Sequence, residues 1–103
     1  MRQTIAIDLD GTLTVGEHSL IHYLQMKPDL NAIDIVNKAF KDDEVIIYTA
    51  RPKVEYLHVK YWLKEHGVRF DKLECGKLQA DRYIDNNSET IDEINEILKG
   101  QII

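Results

Sequence analysis

The stretch IAIDLDGTLT, residues 5–14, is apolar as far as Ile7. It then sets two carboxylates, Asp8 and Asp10, two residues apart and stops at Gly11-Thr12. The apolar opening reads as a buried strand, and the Asp-Gly pair as the turn that ends it. Acids placed that close repel, and each raises the other's pKa. A strand end that crowds them makes sense where a cation sits, or where the two acids do different jobs.

Outward from this stretch, the remaining elements alternate. Residues 3–9 form the first expected strand. Residues 14–28, with Thr14, Gly16, His18, Ser19 and Pro28 around an apolar island at Leu20–Leu24, read as a loop with one short helical turn or a hairpin. A helix is expected over 29–41, with Leu30, Ile33, Val36, Ala39 and Phe40 on one face. EVIIYT, 44–49, is a continuous apolar run rich in β-branched residues, hence a second buried strand. Pro52 suits a helix start and Gly67 a helix stop. FDKLEC (70–75) and DRYID (81–85) are shorter strands. Thr90 and Glu93 have the spacing of a capping box, opening a last helix whose apolar face is Ile91, Ile94, Ile97 and Leu98 and which Gly100 ends.

This order implies a parallel sheet covered by helices on both faces. Ligands of such sheets bind at the carboxyl ends of the strands. Asp8 and Asp10 end the first strand, Thr49 ends the second and Asp85 the last, while Lys77 lies in the connection before the last strand. Four separate regions thus converge on one rim. Asp8, Asp10 and Asp85 are hard oxygen donors, which suits Mg²⁺. A carboxylate there can act as a nucleophile, and a second can protonate the leaving oxygen and then activate water. Thr49 and the backbone N–H groups near Asp10–Gly11 could hold phosphoryl oxygens, and Lys77 could neutralise charge.

The chain has 103 residues, 44% hydrophobic and 30% charged, enough for a single domain spanning 1–103 with one modest core. Thirteen basic against 18 acidic residues give a net charge of −5, which argues against a protein whose main work is non-specific nucleic-acid binding. Cys75 is the sole cysteine, so no intramolecular disulfide can form, and it reads as a small core hydrophobe. With neither a signal-like N-terminus nor a run of membrane-spanning length, the expected setting is reducing and cytoplasmic, with no membrane partner. The four histidines are scattered, without zinc-site spacing; His22 is the one near the site.

DLDGT at 8–12, IIYTAR at 46–51 and GKLQADRYID at 76–85 together resemble the haloacid-dehalogenase (HAD) superfamily of phosphatases, in order and across nearly the whole chain. The resemblance implies a Rossmann-like three-layer α/β sandwich with a mainly parallel central sheet, and a Mg²⁺-dependent phospho-aspartyl mechanism. Asp8 resembles the nucleophile and Asp10 the general acid/base, which also lends its backbone carbonyl to the metal. Thr49 resembles the phosphate-binding hydroxyl; Ala50, Arg51, Gly11 and Thr12 are its expected companions in substrate contact. Arg51 has a second reading, as the partner of a surface acid. Lys77 resembles the charge-neutralising lysine. The last metal position falls to Asp85, or to Asn86, which stands where members of this type often carry a second acid; Asn ligates through oxygen but brings no charge, and Glu89 or Asp92 could compensate.

Neither gap between motifs has room for a cap domain. A capless member leaves its site open to a large phosphorylated substrate, or to cover by a second subunit. The helix over 53–66 bears on that choice. Val54, Leu57, Tyr61 and Trp62 form one apolar face and Tyr56, Val59 and Leu63 another, so a homo-oligomer through this helix is expected. GKxxADxYID resembles small phosphatases of capsular or sugar-phosphate pathways, and TARP followed by WLKEHG resembles nucleotidase-like members. The function expected is therefore a Mg²⁺-dependent phosphomonoesterase acting on a sugar phosphate, polysaccharide precursor or nucleotide. Two alternatives stand beside it: a non-catalytic protein that binds metal and phosphate, marked by Asn86, and a phospho-receiver switch, disfavoured by the Asp pair on the first strand and the early Lys77.

Overall fold

A computed structural model of the chain describes residues 2–15, 26–75, 80–85 and 88–101. Lys77, Asn86, His18, His22 and most of the 14–28 connection, with the helical turn or hairpin expected there, lie outside the described residues.

Strand β1 (Thr4–Asp8) is followed by helix α1 (Leu30–Ala39) and strand β2 (Glu44–Thr49). A single 3₁₀ turn (Lys53–Glu55) leads into α2 (Tyr56–Glu65), then come β3 (Lys72–Cys75), β4 (Arg82–Ile84) and α3 (Ile91–Gln101). The four strands make an all-parallel sheet in the order β3-β2-β1-β4. The chain steps outward from β1 to β3 and then returns to the far side of β1. The strand order therefore reverses beside β1, the place where open parallel sheets form their crevice. A small α/β domain with a parallel sheet flanked by three helices agrees with the Rossmann-like three-layer architecture expected.

The register explains which side chains reach the core. Ile5 pairs with Val45, and Ile7 with Ile47 and Ile84, so alternate residues of neighbouring strands share a face. These side chains form one buried cluster with Ile33 and Val36 of α1, Val59, Trp62 and Leu63 of α2, and Ile94 of α3. By the same alternation Asp8 lies on the other face, with Ala6, Ile46, Tyr48 and Tyr83. Strand entries are tied by acids that bond backbone N–H groups across the sheet: Asp81 accepts from Thr4 at 2.7 Å, Asp71 from Val45 at 2.8 Å and Asp43 from Gln3 at 3.0 Å.

Helix ends follow local chemistry. Asp29 caps α1 by accepting from the Ala32 N–H at 3.0 Å. Gly67, at φ +73°, closes α2: Val68 N–H reaches the Leu63 carbonyl at 2.9 Å and Gly67 N–H the Lys64 carbonyl at 3.2 Å, a Schellman pair. Thr90 and Glu93 form the capping box as expected.

Five details depart from the sequence reading. Leu30 is 65% exposed, because it opens α1 beyond the edge of the core, and Ala32 and Ile35 are buried instead. Gly100 lies inside α3, which runs on to Gln101. Ile97 faces solvent, leaving Ile91, Ile94 and Leu98 on the core side. Cys75 is half-buried at the end of β3 rather than fully enclosed. Helix α2 is divided differently too. Trp62 is buried, its indole N–H on the Met26 carbonyl at 3.1 Å, while Val54, Leu57 and Tyr61 form an exposed apolar stripe.

Candidate active site

Three parallel strands deliver side chains to one rim: Asp8 ends β1, Thr49 ends β2 and Asp85 follows β4. The chain after Asp8 folds into a tight turn, in which the Thr12 and Leu13 N–H groups return to the Leu9 carbonyl at 3.3 and 2.9 Å. Gly11 sits at φ +81°, a conformation in which a Cβ would strain the backbone. Its N–H donates to the Thr14 hydroxyl at 2.9 Å, so this expected phosphate donor is engaged within the turn. The base of the long connection is drawn together by an antiparallel bridge between Thr14 and Pro28.

The two acids of the DLD sequence have different surroundings. Asp8 is pushed up from 3.8 to about 6, first by burial, then by the charges of Asp10 and Asp85; the Leu9 N–H partly offsets this. Crowding of carboxylates at the strand end is thus present electrostatically. Asp10, in contrast, is held by a buried cation. Arg51 places Nη2 2.7 Å from Asp10 Oδ1 and Nε 3.1 Å from both carboxylate oxygens. Its Nη1 donates to Glu55 Oε1 at 3.0 Å. The Arg51 side chain is only 4% exposed. Burial works against the charged guanidinium, but hydrogen bonding and charge from Asp10 and then Glu55 outweigh it, holding its pKa above the ordinary value. Arg51 therefore pairs with the site's own acid, a contact between residues 41 apart in sequence, as well as with the partly exposed Glu55.

Thr49 completes this grip. Its hydroxyl donates to Asp10 Oδ2 at 3.2 Å and accepts from the Arg51 N–H at 3.1 Å. It is 1% exposed, and in this arrangement its proton is spent on Asp10. Ala50 beside it is exposed at the rim. Thr12 is 5% exposed, and its Oγ1 has no hydrogen-bond partner among the described residues.

Asp85 is held from two directions. Tyr48 donates its hydroxyl to Asp85 Oδ2 at 2.8 Å, and the Ser88 N–H donates to Oδ1 at 2.6 Å. Tyr48 is the register partner of Asp8 on β2, so its hydroxyl reaches across the end of β1 to meet Asp85 after β4. Burial, the Asp85 bond and the Asp8 charge push its phenol above the usual value, which keeps it a donor. It stacks edge-on against Tyr83, with centroids 6.3 Å apart, and the Tyr83 hydroxyl accepts from the Ala80 N–H at 3.0 Å. Sequence reasoning missed Tyr48. The signal was there in the alternation of EVIIYT, which sets Tyr48 on the face opposite Ile47 and Thr49.

The expected three-carboxylate ligand group is not preassembled. Among the described residues no group of three or more His, Cys, Asp or Glu side chains is arranged to hold a metal ion. The physical reason is that the Asp10 carboxylate is turned onto Arg51 and Thr49. What remains is an all-oxygen donor set, with the Asp8 carboxylate crowded by like charge. That fits Mg²⁺, which binds through one or two carboxylates and keeps several waters.

Among the described residues no helix is long and apolar enough to cross a membrane. Neither a family model nor a curated protein sequence matches the chain. It is similar in structure to a chain in the solved Pnkp1/Rnl/Hen1 RNA repair complex, with a TM-score of 0.57 and 17% sequence identity. The match covers 99% of this chain and 32% of that one, so the chain spans about a third of the length of the solved protein. At that identity the likeness establishes the fold alone, a small Rossmann-like α/β domain.

Proposed function

We propose that this chain is a HAD-type phosphomonoesterase working through a phospho-aspartyl intermediate. The observation that carries the proposal is the unequal environment of the two acids, Asp8 crowded and half-buried at the end of β1, and Asp10 fixed by Arg51 and Thr49. Asp8 is the nucleophile: a carboxylate oxygen attacks phosphorus, and the bond from phosphorus to the leaving oxygen breaks. Asp10 delivers a proton to that oxygen. It then takes a proton from water, whose oxygen attacks the aspartyl phosphate, releasing phosphate and restoring Asp8.

Mg²⁺ would be held by Asp8, the backbone carbonyl of Asp10, and Asp85 or Asn86, with Tyr48 and the Ser88 N–H orienting Asp85. When bound, it neutralises charge on Asp8 and on the phosphoryl group. Thr12, whose buried hydroxyl has no partner among the described residues, is assigned with Ala50 to the substrate side, with Gly11 shaping the turn and Thr49 fixing Asp10 beside them, and Lys77 to charge neutralisation. The substrate is a phosphate monoester of a sugar, polysaccharide precursor or nucleotide.

The test is phosphate release from 4-nitrophenyl phosphate, with and without Mg²⁺, by wild type and Asp8→Asn. Mg²⁺-dependent turnover lost in the variant is expected. Turnover that survives Asp8→Asn would sink the phospho-aspartyl route. Mg²⁺ binding with no turnover on any monoester would favour the non-catalytic alternative.

A further inference from the structure

We infer that Arg51 is a positioning residue for Asp10, aiming its carboxyl group for proton delivery to the leaving oxygen, with Glu55 as the anchor that fixes Arg51. The inference rests on the phosphomonoesterase reading and deepens it.

Three observations carry it. The Arg51 guanidinium is enclosed, so its first claim is on partners inside the protein rather than on ligand in solvent. It meets Asp10 through a fork: Nε contacts both oxygens at 3.1 Å and Nη2 meets Oδ1 at 2.7 Å. Such planar two-point contact fixes the direction of a carboxylate, which a lysine point charge does not. Glu55 Oε1 holds Nη1 at 3.0 Å from the start of α2, and Thr49 holds Asp10 Oδ2 from β2. Asp10 sits in a turn after β1 and has no rigid element of its own. Its aim is therefore supplied by β2 and the turn into α2. Proton delivery by a placed carboxyl contributes about 10²–10⁴-fold, and that contribution depends on hydrogen-bond reach to the leaving oxygen.

A proton donor matters in proportion to how poor the leaving group is. The experiment therefore measures kcat/KM, which covers the step in which the leaving group departs. The substrates are a series of phosphate monoesters from 4-nitrophenyl through phenyl to an alkyl phosphate, for wild type, Asp8→Asn and Arg51→Lys, each at saturating Mg²⁺. Arg51→Lys keeps the charge and removes the fork. The expected result is a loss of about hundredfold on the alkyl ester and less than about threefold on the nitrophenyl ester, that is, a steeper dependence on leaving-group acidity. An equal loss across the series, or no loss, would overturn the positioning role while leaving the phosphatase reading intact. Absence of turnover by wild type across the whole series overturns the underlying reading, and this inference with it. If Arg51→Lys does not fold, as judged by Trp62 fluorescence, Glu55→Ala replaces it. That variant frees one end of the guanidinium, and the same steepening is expected at about tenfold; a flat profile in it would count against the proposal.

Discussion

Replacing Asp8 by Asn should stabilise the metal-free protein, and by an amount that depends on pH in a defined way. The Asp8 carboxyl is raised from 3.8 to about 6 in the fold by burial, then by Asp10 and Asp85. A group whose folded pKa is raised binds more protons folded than unfolded. Its relative stability is therefore present below about pH 4 and lost as pH rises through about 6. About two pKa units at about 1.4 kcal/mol each cap the cost at about 3 kcal/mol, and partial solvent access screens this to about 2. Asn carries no charge at any pH and escapes the cost. The stability difference between Asp8→Asn and wild type should be near zero at pH 4, open between pH 4 and 6, and level off near 2 kcal/mol above pH 7. For a domain of this size that corresponds to a rise in Tm of about 10 °C. Urea unfolding in EDTA gives the comparison, followed by the fluorescence of Trp62, which is 7% exposed and the sole tryptophan. A variant no more stable than wild type at pH 7.5, or a difference constant from pH 4 to 8, would refute the account of Asp8 as a crowded carboxylate. Mg²⁺ should then narrow the gap by stabilising wild type alone.

Three further outcomes follow from other parts of the fold. Arg82 holds Glu89 through two bonds of 2.6 and 2.7 Å, and this ion pair keeps the Glu89 carboxyl below its ordinary value. Its contribution is present above about pH 4.5 and is lost as pH falls through the lowered folded value, so Glu89→Gln should cost about 0.5–1 kcal/mol at pH 7 and progressively less as pH falls below 4.5, by urea unfolding. Gly67→Ala should cost about 1 kcal/mol by the same measurement, because φ is +73° there; no atom lies near enough to clash with the added methyl, so a larger loss would mean the strain argument is incomplete. The expected homo-oligomer through helix 53–66 now rests on Val54, Leu57 and Tyr61, exposed by 83, 61 and 70%. Sedimentation at tens of micromolar should show a dimer in wild type and a monomer in Leu57→Glu; a monomeric wild type would dispose of it.

Much of this molecule was legible without coordinates, for local reasons. EVIIYT became β2 residue for residue, since a short β-branched run has few other uses. Thr90 and Glu93, and Gly67, announced helix ends because caps depend on residues within a few positions of the backbone they satisfy. The convergence of Asp8, Thr49 and Asp85 on one rim followed from strand ends alone. Less could be read where one helical turn decides. The period of α3 admits Ile97 to the apolar face, yet the neighbouring elements do not reach it, and it stays exposed.

The sequence by itself therefore determined most of the element types, the parallel sense of the sheet and the set of acids at the strand ends, because these depend on near neighbours and on a period of two or about 3.6. Only the tertiary structure decided how those acids are used. Asp10 turns to Arg51 and Thr49, and Asp85 to Tyr48, across separations of 41, 39 and 37 residues. Such choices are set by strand register and by the cost of leaving a buried charge unpaired, and neither acts over a distance that a local pattern can record.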